Sequence, residues 1–423
     1  MNRCLLFVPI NFLVAGILTF CVNSLTANPW RKAAAAHWTE RARLLWPVRT
    51  SGAVNIWLIP IILTLAERSS VSSSWSGSIV PAAAGFLGAI IGTFPLDREI
   101  VPRFTFGRWL RLVAMTWSIR AGSLGVLVLS ALLMPDEFGL ASVVVGGSVL
   151  AYLLALHFGL YLRFLRWWKV LVLPDRRLRS VVARTAQRMG LREPGTWLLD
   201  APLAQAFALP ATGELMFSSR LLDILTDDEI SAVCAHEMGH LTESKSVLAG
   251  RIAGSMALYP LIFLRPAAKS GPLAICAIGV LVVLSAMLNR KLSRRMETRA
   301  DKIATENQVE QGLFAGALEK LYCDNLIPAV STGKRKAHPH LYDRMLAAGI
   351  QPDYPRPAKP QSMRWSVFLI SIALGVLIGR ELRGDQTLPL HAGRENCDYC
   401  PIVCAVVWLF EACISQLSPC FTK

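Results

Sequence analysis

Charge is scarce in this chain. Only 17% of its 423 residues are Asp, Glu, Lys or Arg, and 53% are apolar. A soluble domain carries about 25% charged residues, so an ordinary water-facing surface is excluded for much of the length. Acidic residues are the scarcer kind, 29 against 44 Lys and Arg. The resulting surplus of +15 is not gathered into one patch but lies beside apolar runs, which argues against a nucleic-acid partner. No internal repeat is evident. Ten cysteines are present, but no second Cys-x-x-Cys accompanies Cys397 and Cys400, which argues against a four-thiolate metal site. Cys4, Cys21, Cys234, Cys276 and Cys323 read as small apolar fillers. Cys397, Cys400, Cys404, Cys413 and Cys420 crowd a tail to which no function can be assigned.

Apolar runs of membrane-spanning length stand in place of charge. The clearest are Cys4–Val22, Leu140–Leu162, Pro272–Leu288 and Val367–Ile378. Shorter or weaker ones are Val54–Ala66, Ile79–Phe94, Leu112–Met134, Ala249–Leu264 and Pro401–Ile414. With a hydrocarbon core of about 30 Å, these runs predict seven or eight spans and a lipid bilayer as partner. The first run reads as a retained anchor rather than a cleaved leader, because no small-x-small site follows it closely. Arg120 inside the Leu112–Met134 run places the true start of that span near Ala121. His157, within an apolar run, reads as a hydrogen-bonded bundle histidine.

The basic residues alternate between connections. Arg31, Lys32, Arg41, Arg43 and Arg49 follow the first run; Arg163, Arg166, Lys169, Arg176, Arg177 and Arg179 follow Leu162; Arg290, Lys291, Arg294 and Arg295 follow Leu288. Glu67–Ser78 and Pro135–Phe138 hold only Arg68 between them. By the positive-inside rule the basic connections are cytoplasmic. The expected organisation is a membrane bundle over 1–162, a cytoplasmic part over 163–248, a transmembrane hairpin over 249–289, a second cytoplasmic part over 290–360, and a last membrane and Cys-rich segment over 361–423.

Only seven histidines occur, yet two of them fall in His236-Glu237-Met238-Gly239-His240. Positions four apart share one helix face, so both imidazoles can point at one ion, and Glu237 projects beside it. This is the His-Glu-x-x-His arrangement of zinc metallopeptidases, and composition alone gives a chance match on the order of one in a hundred or less. Thr226 and Glu229 form a capping box that starts the helix, with Ile230, Val233 and Cys234 as an apolar face.

A catalytic zinc needs a third protein ligand. Glu297 is the best candidate and Glu319 a distant second. Asp301, one turn beyond Glu297, can accept a hydrogen bond from the nitrogen of a liganding imidazole that does not face the metal. Ser180–Met189 reads as helix, and Gly195–Leu199 and Glu214–Ser219 as strands.

Together, His236-Glu237-x-x-His240, a two-span hairpin and Glu297-x-x-Ala300-Asp301 resemble the integral-membrane zinc peptidase family that includes bacterial HtpX and the eukaryotic CAAX prenyl endopeptidase. The resemblance runs from about Trp197 to Ala347 and takes in Leu221-Leu222-Asp223 and His338-Pro339 with Arg344. Gln205-Ala206-Phe207 stands where the family has Asn-Ala-Phe, so Gln205 departs from it. The resemblance implies a mainly α fold: a multi-span helical bundle with a gluzincin-like α+β peptidase unit split by a transmembrane hairpin. It implies one Zn2+ on His236, His240 and Glu297, with Glu237 as general base. His338 would donate to the oxyanion with Arg344 orienting it, and Gln205, Ala206, Phe207, Met216, Phe217 and Ser218 would bind substrate, Glu214–Ser219 being the edge strand.

The implied activity is endopeptidase cleavage of membrane or membrane-proximal polypeptides, in protein quality control, at a bacterial inner membrane with a cytoplasmic site. Prenyl-peptide processing, proteolytic signalling and an inactive scaffold are the alternatives. An intact Glu237 argues against the scaffold, and nothing in the sequence indicates an oligomeric state. A cysteine-accessibility map is expected to find Phe164–Val247 and Lys291–Pro360 on one side of the membrane and Glu67–Ser78 on the other. Finding the loop and the zinc helix on the same side would overturn the topology.

Overall fold

The computed structural model describes residues 3–70, 75–331 and 340–361. Two compact units emerge: Met1–Phe104 with Leu326–Thr332 and Arg356–Lys423, and Thr105–Asn325 with Gly333–Pro355. The first contains α1 (Arg3–Lys32), α2 (Trp38–Ser70) and α3 (Trp75–Ile100). Here α1 and α3 meet backbone to backbone. A Cβ on Gly88 would lie 2.0 Å from the Phe12 carbonyl oxygen, and one on Gly92 would lie 2.4 Å from that of Gly16. Small residues allow this close approach where apolar burial cannot drive helix association. Arg31 closes on Glu99 at 2.6 Å near the helix ends.

The second unit holds α4 (Phe106–Leu133), α5 (Leu140–Ala155), a π-helical turn over Leu156–Leu160 and α6 (Tyr161–Trp167). The sequence reading grouped α4, α5 and the π turn with the first 162 residues; in the structure they pack in the same unit as the histidine motif. The π turn frees His157, whose Nε2 lies 2.8 Å from Ser255 Oγ.

A four-stranded sheet follows in the order β1-β2-β4-β3, formed by β1 (Leu171–Val172), β2 (Gly195–Leu199), β3 (Ala206–Leu209) and β4 (Glu214–Ser218). β4 pairs parallel with β2 and antiparallel with β3. The expected edge strand over Glu214–Ser219 is therefore interior, its backbone engaged on both sides. The edges are β1, only two residues long, and β3. Phe217 is fully buried, in a core with Leu178, Val182, Leu221, Ile230 and Val233. Met216 is buried on the other face with Leu162, Leu165 and Leu171. Ser218 is occupied as a cap, its Oγ accepting from Leu221 N at 3.2 Å and from Gln205 N at 2.8 Å. The proposed substrate contacts of Met216, Phe217 and Ser218 are thus corrected to core and capping roles.

α7 (Arg176–Arg188) and α8 (Ser219–Ile224) precede α9 (Asp227–Leu241), the histidine helix. Its capping box is formed: Glu229 N donates to Thr226 Oγ1 at 3.3 Å and Thr226 N donates to Glu229 Oε2 at 2.9 Å. Every residue from Glu229 to His240 is buried, so α9 is a central helix rather than one with a single apolar face.

α10 (Lys245–Ser255), a 3₁₀ turn over Tyr259–Phe263 and α11 (Leu264–Ser270) lead to α12 (Pro272–Glu306). This single 35-residue helix carries both the apolar Pro272–Leu288 run and Glu297. Membrane span and ligand segment are one element, not two parts meeting near residue 290. α13 (Leu313–Asp324) and α14 (Leu341–Ala347) complete the unit.

Among the described residues five helices are long and apolar enough to cross a membrane, or seven if Phe106–Leu133 and Lys245–Ser270, each bent by just over 40°, count as one span apiece. The runs Val367–Ile378 and Pro401–Ile414 and the Cys-rich tail lie outside the described residues.

α9 and α12 touch where a Cβ on Gly239 would lie 3.3 Å from Ala300 Cα. Gly239→Val is expected to force the helices apart, costing about 1–3 kcal/mol, and to move Glu297 away from the histidines. Melting curves and zinc content of the purified variant test this; wild-type values for both would show that the contact has slack.

Candidate metal centre

α9 projects His236 and His240 from one face, four residues apart, and α12 brings Glu297 opposite them. Glu297 Oε2 lies 3.6 Å from His236 Nε2 and 3.8 Å from His240 Nε2. The three ligand atoms lie within 4.8 Å of one another, and all three residues are buried. Ligands at about 2.1 Å from a tetrahedral zinc stand roughly 3.4 Å apart, close to the separations found.

The other face of each imidazole meets a carboxylate. His236 Nδ1 is 3.1 Å from Asp301 Oδ1, and His240 Nδ1 is 3.0 Å from Glu243 Oε1. Both rings are therefore turned with Nε2 toward Glu297. Asp301 in turn pairs with Arg344. Phe314 stacks on His236 with centroids 5.3 Å apart and planes 22° apart, and the Arg344 guanidinium lies 5.6 Å from the centre of the same phenyl ring. Arg299 ties the end of α9 to α12, donating to the Gly239 carbonyl at 2.8 Å and to Thr242 Oγ1 at 2.9 Å. A cation there also suits the negative end of the helix.

Burial opposes protonation of His236, but its hydrogen bonds to Asp301 and Glu297 outweigh that and lift the imidazole to about 9. The cluster draws in a positive charge, as a divalent ion would supply. His240 Nε2 is buried without a hydrogen-bond partner among the described residues. A buried imidazole lone pair facing a second imidazole and a carboxylate is the donor set of a zinc site. The residues fit the metal.

Residues 173–349 match the model of peptidase family M48. This part of the chain is similar to peptidase family M48. The chain is 30% identical over 197 residues to the protease HtpX of Aeromonas salmonicida, across 41% of this chain and 63% of that protein. It is 26% identical over 237 residues to a protease HtpX homolog of Ralstonia pickettii, across 48% of this chain and 81% of that one. A protease HtpX homolog of Trichormus variabilis is 29% identical over 163 residues, 56% of its length. The match thus spans less than two thirds of the Aeromonas and Trichormus proteins.

Within the matched region the structure gathers His236, Glu237, His240, Glu297, Asp301 and Arg344. Glu237 is 4% exposed, beside the ligands and near enough for its charge to act on His236. Arg344 is found on Asp301, where it supports the carboxylate behind His236. His338 lies outside the described residues, so the expected pairing of Arg344 with it has no structural counterpart here.

Gln205 leads into the edge strand β3 and Ala206 and Phe207 lie on it. The β3 strand and Glu243 were not foreseen. A four-residue strand is too short to show a period, whereas His240-x-x-Glu243 was legible as an i, i+3 pair at the helix end.

Glu297→Ala is expected to lose zinc, and Asp301→Ala to weaken its binding about 10–100-fold. Zinc must displace the proton of His236. Below the raised value of about 9 the proton competes, so affinity rises with pH up to that point and then levels. Chelator competition across that range checks both; full zinc occupancy in Glu297→Ala would place the third ligand elsewhere.

Proposed function

We propose that this chain is a zinc-dependent endopeptidase that cleaves polypeptides in or beside a membrane, from the cytoplasmic face of a bacterial cell membrane. The convergence of His236 Nε2, His240 Nε2 and Glu297 Oε2 within 4.8 Å, with Glu237 adjoining, carries the proposal. Zinc held there supplies a Lewis acid for a peptide carbonyl and lowers the pKa of a neighbouring water. Glu237 takes a proton from the attacking water and delivers it to the leaving amine. Asp301, braced by Arg344, keeps the His236 lone pair on the metal side. His338 is the proposed donor to the oxyanion.

Substrate is proposed to add as a strand to the edge of β3. The Gln205 and Leu209 carbonyls both point to the β4 side, accepting from Ser218 N and Gly213 N at 2.9 Å. Hydrogen-bonding direction alternates along a strand, so the amides of Ala206 and Ala208 face outward. They can pair with an extended peptide backbone while alternate substrate side chains enter pockets. This moves the docking strand from β4 to β3, and keeps Gln205, Ala206 and Phe207 in the substrate track. The apolar spans supply the membrane setting. Protein quality control is the physiological role proposed.

Glu237→Gln is expected to keep zinc and lose at least about 10²-fold in turnover, since an amide cannot take the proton. Ala208→Pro removes an outward donor and should raise KM with zinc retained. Cleavage of a membrane-protein substrate by the purified full chain reads both. Substantial activity in zinc-loaded Glu237→Gln would remove Glu237 as base, and an unchanged KM in Ala208→Pro would remove the strand-addition track.

A further inference from the structure

Glu243 has no part in the reaction set out above. It sits just beyond α9, on the turn into α10, and its side chain is only 3% exposed. A carboxylate that dry is tolerated only with a hydrogen-bond donor or a cation at hand. It has both kinds of neighbour. Oε1 lies 3.0 Å from His240 Nδ1, and Oε2 lies 4.0 Å from Arg251 Nη1, on α10.

The arrangement repeats what is found at the other imidazole. His236 Nδ1 meets Asp301, which meets Arg344; His240 Nδ1 meets Glu243, which faces Arg251. The two acids come from different directions. Asp301 is on α12 with Glu297, whereas Glu243 follows the histidine helix itself. One-sided support would fix only one ring. With both, each Nδ1 has a carboxylate beside it and each Nε2 is turned toward Glu297.

We propose that Glu243 is a positioning residue for the metal site, fixing the tautomer and rotation of His240 as Asp301 does for His236. The proposal rests on the metal reading of His236, His240 and Glu297. It adds a second carboxylate behind the ligands, one that orients the His240 ring and adds negative charge near a divalent ion.

The test uses the full chain in detergent. Zinc affinity is measured by chelator competition, together with melting of the metal-free protein and the visible absorption spectrum of the cobalt-substituted protein. Glu243→Ala is expected to weaken zinc binding about 10–100-fold with metal-free melting close to wild type, and to shift the cobalt bands as the His240 ring loosens. Glu243→Gln retains an oxygen that accepts from Nδ1–H, and should recover part of that loss. Affinity and cobalt bands unchanged in both variants would overturn the proposal. So would equal losses in the two, because the retained acceptor would then count for nothing. If Glu243→Ala does not fold, Glu243→Gln decides alone: weaker zinc binding supports the role and wild-type binding overturns it. Wild-type protein without zinc affinity would instead remove the metal reading itself.

Discussion

Everything at the metal centre depends on how closely α9 lies against α12. The separation is set where Gly239 meets Ala300, two residues with almost no side chain between the backbones. Two histidines on one helix are only half a site. The partner helix must present its carboxylate across a gap of a few ångströms, and bulk at this crossing would hold the helices apart. Arg299 secures the same contact by hydrogen bonds to the last turn of α9. The apolar core beneath, with Val233, Cys234 and Met238 on the helix itself, holds α9 against the sheet and α7. Burial pushes the Cys234 thiol well above its usual range, so it serves there as an inert apolar group.

The cost of that burial is electrostatic. His236, Glu237, His240 and Glu297 are all less than a tenth exposed. Carboxylates in such a place destabilise one another unless positive charge is near. Arg344 and Arg251 stand behind the acids, and the imidazoles stand in front. The raised affinity of His236 for a proton expresses the same imbalance. The same cluster that raises the proton affinity of His236 is one that could hold a metal ion.

Local patterns were legible in the sequence and non-local ones were not. The capping box at Thr226 and the spacing of His236 and His240 are read within one helix, where geometry follows from residue number alone. Glu297 could be chosen because it lies on a helix-compatible stretch with Asp301 one turn later. Strand order was not legible. Glu214–Ser218 has a strand's composition, but whether a strand lies inside a sheet or at its edge depends on what pairs with it. Ala206–Leu209, only four residues long, gave no sign of taking the edge. The Pro272–Leu288 run is apolar in sequence, but nothing in the change of composition near Asn289 says that the helix continues without a break. Charge patterns mark where a chain leaves lipid, not where its hydrogen-bond ladder ends.

That continuity makes α12 a ruler. A helix rises about 1.5 Å per residue, so Glu297 stands roughly 14 Å beyond Leu288, the last residue of the apolar run. The distance between the end of the apolar run and Glu297 is set by residue count along one rod, and its direction by the helical turn. One residue inserted between Leu288 and Glu297 would lengthen the rod by only about 1.5 Å but swing the carboxylate through about 100°. Deletions and insertions here are therefore read as rotation before they are read as height. The register of the apolar run and the position of the Glu297 carboxylate are locked to each other.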